Sequence, residues 1–133
     1  MKIEKIDYSR LAKTGKELRD LAASEADWIV RNLDDLRQLR AAGNNAVARL
    51  AATDFEAFAG SLRFAHGGVA GGCYRPLMST LSLSDIFEVF AYFGISAGLL
   101  SSQTDPESCQ ECECTSGNCE WSWGSFCSSL CGR

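Results

Sequence analysis

The chain has 133 residues, 46% of them hydrophobic and 23% charged, a composition that folds and that excludes a low-complexity or wholly disordered polymer. Its net charge of −4 hides an asymmetry: all 13 Lys and Arg lie within residues 1–75 or at Arg133, while residues 76–132 carry seven acids and no base. The C-terminal half has nothing with which to neutralise phosphates, so no nucleic-acid partner is expected.

Met1-Lys2-Ile3-Glu4-Lys5-Ile6-Asp7-Tyr8 places charges where a secretion signal would carry its apolar run. The most apolar stretch, Ile86 to Leu100, is fifteen residues long and broken by Glu88, whereas a bilayer span takes about twenty. The expectation is a chain made in the cytoplasm, without a stable membrane span. In a reducing compartment clustered cysteines are more often metal ligands, catalytic groups or targets of modification than disulfides.

In chain order, Ser9 to Ala23 reads as a helix, with Leu11, Leu18 and Leu21 spaced among charges. Ser24 is positioned to cap a second helix, in which Trp28, Ile29, Leu33, Leu36 and Leu39 share one face and Arg31, Asp34, Asp35 and Arg37 lie off it. Gly43-Asn44-Asn45 stops that helix, and a short Ala-rich segment, Ala46 to Ala52, follows. Thr53-Asp54-Phe55-Glu56 has the form of a capping box, opening a helix with Phe55, Phe58 and Leu62 that ends at Gly67-Gly68. Another helix starts near Ser84-Asp85, buries Ile86, Phe87, Val89, Phe90 and Phe93, and stops at Gly94. With no convincing period-2 strand, the reading is all-α: a small helical bundle over residues 1–104 and a flexible Cys-rich C-terminal tail over residues 105–133, divided at Asp105-Pro106.

Six of the seven cysteines fall in that tail, spaced C-x2-C-x-C-x4-C-x7-C-x3-C. Besides cysteine, its large apolar residues are Trp121, Trp123, Phe126 and Leu130, too few to offset about 1–2 kcal/mol of backbone entropy for each residue ordered. Three chemistries suit the thiols. Cys109 and Cys112 form a C-x2-C half-site that Cys114 and Cys119 could complete around zinc or an iron–sulfur cluster. Against this, no second C-x2-C or nearby histidine is present, and the surrounding glutamates add charge to an already anionic tetrathiolate. A disulfide framework is the second option, with fifteen connectivities for six cysteines.

The third takes the chain whole. A helical part followed by Cys109, Cys112, Cys114, Cys119, Cys127 and Cys131 among Ser and Trp resembles the precursor peptides of ribosomally synthesised, post-translationally modified natural products. The resemblance implies a leader bound by modifying enzymes and a core that supplies the reactive side chains. Those side chains are the six thiols, hydroxyls such as Ser125, Ser128 and Ser129, and the indoles of Trp121 and Trp123. Thiolate addition to dehydrated Ser or Thr would give thioether rings; cyclodehydration, oxidation at cysteine or radical cross-linking would use the same groups differently. The resemblance also makes Gly71 and Gly72 a candidate cleavage site for a processing protease or transporter, releasing an exported product. Read by itself, Gly67 to Gly72 is a flexible loop between helices. The handle for the modifying enzyme is expected on the helix near Trp28–Arg40, with Arg31 and Arg37 exposed, or else on the Phe-rich segment between Ser84 and Gly94.

The single histidine, His66, reads as a helix-end cap, and Cys73 as a small buried side chain, the two lacking the third group that a nucleophile pair needs. No phosphate-cradling loop, H-E-x-x-H or G-x-S-x-G is present. The chain reads as a substrate rather than an enzyme.

Overall fold

The computed structural model describes residues 1–102 and 125–127, the side chains of residues 101, 102, 125 and 127 excepted. The described residues form five α-helices and a small antiparallel sheet, so the fold is mostly helical and not all-α. Helix α1 (Gly15–Ala23) opens on a capping box: Thr14 Oγ1 accepts the Glu17 amide at 3.1 Å, and the Glu17 carboxylate returns to the Thr14 hydroxyl at 3.3 Å. Its inward face is Leu18 and Ala22.

Ser24, expected to open the next helix, closes this one instead. Its hydroxyl and its amide both donate to the Leu21 carbonyl, at 2.6 and 3.1 Å. The chain then runs outside helical conformation through Trp28, Ile29 and Val30, all buried, and Val30 donates its amide to the Tyr92 carbonyl at 2.8 Å. The second helix, α2 (Leu33–Ala42), starts where Asn32 Oδ1 accepts the Asp35 amide at 2.8 Å, with Asp34 and Asp35 in its positive first turn. Trp28 and Ile29 are buried as expected, but from a bend between helices rather than from a helix face.

Arg31 explains why. Its Nη1 donates to the carbonyls of Ala22 (2.6 Å) and Gly67 (2.8 Å), and its Nη2 to those of Ser24 (2.9 Å) and Ala26 (2.9 Å). One planar fork thus ties the open end of α1, the loop after it and a distant turn to a single residue. Arg31 was expected among the exposed charges of a helix; it is a half-buried structural group.

Helix α3 (Ala52–Ser61) begins at Ala51, and no side chain caps it. The Thr53 box does not form, because the helix starts before Thr53, which lies within its first turn, and Glu56 is engaged elsewhere. Asp54 accepts the hydroxyls of Ser79 (3.0 Å) and Thr80 (3.2 Å), and Glu56 pairs with Arg37. The helix stops at Ser61, and the chain enters a hairpin of β1 (Arg63–Ala65) and β2 (Gly68–Cys73). His66 and Gly67 are its two-residue turn, with φ of 55° and 91°, the positive pair that suits the right-handed twist of a hairpin. His66 is therefore a turn residue and not a helix cap. A Cβ at Gly67 would lie 2.5 Å from the Ala22 carbonyl oxygen, so no side chain fits at that position.

The Gly67 to Gly72 segment, expected as a loop, is mostly strand: all six residues of β2 are buried. Register slips between Arg63 and Phe64, so that Phe64 faces Val69 and Arg63 faces Gly71, a bulge in β2. The sheet order is β1-β2-β3, where β3 (Ser125–Cys127) comes from the expected tail. At those three residues the tail is not outside the folded unit: Phe126 is 1% exposed and belongs to the main core.

Helix α4 (Leu83–Ala91) is capped by Ser82, whose hydroxyl accepts the Asp85 amide, and the chain turns out of it at Gly94 with φ 86°. Helix α5 (Ala97–Ser102) follows, after a parallel bridge between Ala12 and Ile95. Asn45, 3% exposed, holds the α2 exit by donating to the Leu39 and Gly43 carbonyls and accepting from the Ala48 amide. Among the described residues no helix is long and apolar enough to cross a membrane.

Replacing Arg31 with Ala is expected to destabilise the fold by ~3 kcal/mol or more, because half-buried carbonyls lose a charged donor. Arg31→Lys should recover only part of this, since an ammonium keeps the charge and loses the fork. Urea unfolding followed by circular dichroism checks both. A Lys variant as stable as the parent would show that charge alone is needed.

Candidate functional site

The residues singled out in the sequence divide by position. Cys109, Cys112, Cys114, Cys119, Trp121, Trp123, Ser128, Ser129 and Cys131 lie outside the described residues. Ser125 and Cys127 are the ends of β3, and Gly71 and Gly72 are interior to β2. In register, Gly71 faces Cys127, Gly72 faces Phe126 and Cys73 faces Ser125. The structure thus brings the cleavage candidate against part of the modification candidate, a juxtaposition with no local signal in the chain. A protease acting at Gly72 would have to take β2 out of the sheet first, because proteases need an accessible extended chain.

Cys73 is disulfide-bonded, and the other six cysteines of the sequence all lie between residues 109 and 131. Cys73 is buried, as expected, but is disulfide-bonded rather than a free thiol. It cannot serve as a nucleophile in this state, and the His66–Cys73 pairing is removed. Its backbone is fixed as well: its amide donates to Ser61 Oγ at 2.9 Å, and the Ser61 hydroxyl donates to the carbonyls of Phe58 and Cys73 at 2.7 and 3.3 Å. The sequence signal was the odd cysteine outside the cluster. Seven thiols cannot all pair within one chain, so at least one C-terminal cysteine lies outside any intrachain disulfide. Among the described residues no group of three His, Cys, Asp or Glu gathers to hold a metal.

Phe126 fixes the geometry of this junction. Its ring meets Phe90 edge-on, centroids 4.8 Å apart at 85°, and Phe90 also meets Phe58 and Tyr74 edge-on at 6.4 and 6.3 Å. A Cβ added at Gly72 would lie 2.7 Å from Leu62 Cδ2 and 3.2 Å from Phe126 Cε1. The glycine leaves room first for the Leu62 side chain and then for the ring.

Two clefts open elsewhere. One, of about 500 Å³, lies under the N-terminal segment and is lined by Ile3, Ile6, Tyr8, Asn45, Glu88 and Tyr92 among others. Glu88 is already engaged there: its Oε2 accepts the Ala46 amide at 2.7 Å and its Oε1 lies 3.7 Å from Arg49. Burial first, then the charge of Glu88, raises the Tyr92 phenol to about 12, and the same two causes raise Tyr8. The other cleft, of about 490 Å³, is bounded by Arg37, Arg40, Phe55 and Glu56. Both guanidiniums lie over the Phe55 ring, at 5.6 and 4.6 Å, and Arg40 donates to the Val47 carbonyl at 2.9 Å. Arg37 forms a two-pronged pair with Glu56 at 2.8 and 3.3 Å, and that bond holds the exposed Glu56 carboxyl below its ordinary range. Of the two arginines named as a handle, only Arg37 is on the exposed face of α2.

Two measurements follow from this geometry. A disulfide from Cys73 to the C-terminal cluster closes a loop of at least about 36 residues, worth ~4 kcal/mol by chain entropy. Reductant should therefore lower the urea midpoint, and a non-reducing digest should yield the Cys73 peptide joined to one from residues 109–131. In alkali, a tyrosine whose folded pKa is raised contributes stability that is complete below the unfolded value near 10 and lost as pH rises through about 12. Tyr92→Phe should remove the latest step of tyrosinate absorbance and flatten the fall in stability across that window.

Comparison with protein-family models, with curated proteins and with solved structures finds no match to this chain, so the residues and their geometry carry the functional reading.

Proposed function

We propose that the chain is the precursor of a modified peptide: a folded N-terminal unit that a modifying enzyme grips, and a C-terminal Cys/Ser/Trp segment near residues 105–133 on which that enzyme acts. The single observation that supports this reading is the division of chemistry along the chain. The core is built mostly from Leu, Phe and Val of residues 1–102, whereas six of the seven cysteines and the clustered hydroxyls and paired indoles fall in the C-terminal segment. A modifying enzyme needs a handle that stays constant while its substrate changes, and a folded unit provides one. The odd cysteine count adds to this, since at least one thiol is left for chemistry other than an intrachain disulfide.

The handle on this reading is the exposed face of α2, where Asp34, Arg37 and Gln38 stand beside the cleft formed with Phe55 and Glu56. Arg31 is not part of it, being occupied by four carbonyls. The disulfide at Cys73 favours a second reading, in which the C-terminal cysteines form an oxidised framework and the finished product is the whole chain.

Intact mass measurement after full reduction separates the two. Co-expression with the enzymes encoded beside the gene is expected to give loss of water at hydroxyls, or of hydrogen pairs at cross-links, confined to residues 105–133. A chain from its native producer that returns to its unmodified mass on reduction would overturn the precursor reading and leave the framework. Arg37→Glu should weaken capture by the modifying enzyme with helicity unchanged. Unaltered capture would move the handle off α2.

A further inference from the structure

We infer that the outer edge of β2 is a strand-acceptor site, which binds a short extended peptide with a central aromatic ring, and that its ligand is the chain's own segment around Phe126. The inference goes beyond the precursor reading and holds whether or not the segment is modified. Three observations combine in it. The first is the pairing: β3 adds to β2 antiparallel, three residues long, at the far side of the sheet from the β1–β2 turn. Main-chain pairing of this kind supplies affinity with little regard to sequence.

The second is the slot. Gly72 faces Phe126, and a side chain there would press on both Leu62 and the ring, which meets Phe90 edge-on. The ring is 1% exposed and makes the shortest aromatic approach among the described residues, 4.8 Å to Phe90. Pairing gives affinity and the ring gives selectivity, the division of labour found wherever a peptide adds to a sheet edge. A small–aromatic–small sequence, as in Ser125-Phe126-Cys127, is what this site accepts.

The third is the state of the site without its ligand. All six residues of β2 are buried with β3 in place, and β2 is rich in glycine, so removing β3 would bare backbone groups and an apolar hole together. Backbone polar groups left without partners away from water are costly, and an open sheet edge invites another strand. The slot therefore retains its occupant by noncovalent contacts, in addition to the Cys73 disulfide.

The test uses the full chain with a specific protease site in place of residues 103–106, folded first and then cut, with thiol reductant present so that no disulfide holds the pieces. The C-terminal piece is expected to co-elute with residues 1–102 in size exclusion. The same chain with Phe126→Ala should lose that piece, through binding at least about tenfold weaker. Should that variant fail to fold, two synthetic peptides decide: one with the sequence of residues 121–129, and one identical but for Phe126→Ala. The first should displace the piece from the cut chain at a concentration at least about tenfold below the second. Release of the unaltered piece on cutting in reductant, or equal displacement by the two peptides, would overturn the inference. Neither outcome bears on whether the thiols and hydroxyls are modified, so it fails separately from the precursor reading.

Discussion

The Phe90 ring is the contact on which the arrangement of the other elements depends. It projects from α4 and meets Phe58 of α3, Tyr74 just after β2, and Phe126 of β3, each edge to face. Helices and sheet therefore share one aromatic centre, and none of the three partners is local to it in sequence. Edge-to-face pairs add about 0.5–1.5 kcal/mol each beyond the burial of their area. Because each pair has a preferred geometry, they orient the elements as well as holding them. A sheet of three short strands, one of them rich in glycine, has little intrinsic tendency to form. It persists here because its inner face is roofed by rings that are themselves fixed by α3 and α4.

The polar counterpart of that centre is Arg31. The aromatic cluster sets where the layers meet, and the guanidinium sets how the chain passes between them. By holding carbonyls from α1, from the loop at Ser24 and Ala26, and from the hairpin turn at Gly67, it satisfies backbone groups that would otherwise end unpaired. It also links the turn of the hairpin to a helix end more than forty residues earlier in the chain. The tight approach at Gly67, where no Cβ can be accommodated beside Ala22, is the steric side of the same contact.

Much of the helical part was legible because its signals are local. α4, with its apolar face and its stop at Gly94, and the end of α2 at Gly43 are written in spacing and capping residues that need no distant partner. Where the reading went astray, a distant partner competed. Ser24 and Asn32 are both good caps in isolation, and only the carbonyls gathered by Arg31 decide that the first closes a helix and the second opens one. Thr53 offers a capping box, but the helix starts before it, and Glu56 has its partner on another element. The hairpin was hidden for a different reason. Glycines in a strand read as a loop, and a strand buried throughout has no alternation to reveal it. The candidate site was legible only in part: the composition of the C-terminal segment marked it out, but nothing local in Ser125-Phe126-Cys127 announces a strand.

The junction of β2 and β3 also constrains how any chemistry on the C-terminal segment can proceed. A side chain is modified when it enters an enzyme's site, and a residue in a paired strand cannot do so without leaving the sheet. Ser125 and Cys127 flank a ring that is locked against Phe90, whereas Cys109, Cys112, Cys114 and Cys119 are separated from that ring by seven residues or more. Removing Phe126 from its slot would expose an aromatic side chain and the Gly71–Gly72 backbone at once, so reaction at either end of β3 carries an energetic penalty. Any chemistry at Ser125 or Cys127, and any cleavage at Gly72, must wait for the strand to leave. The same contact that stabilises the fold thus shields both paired strands.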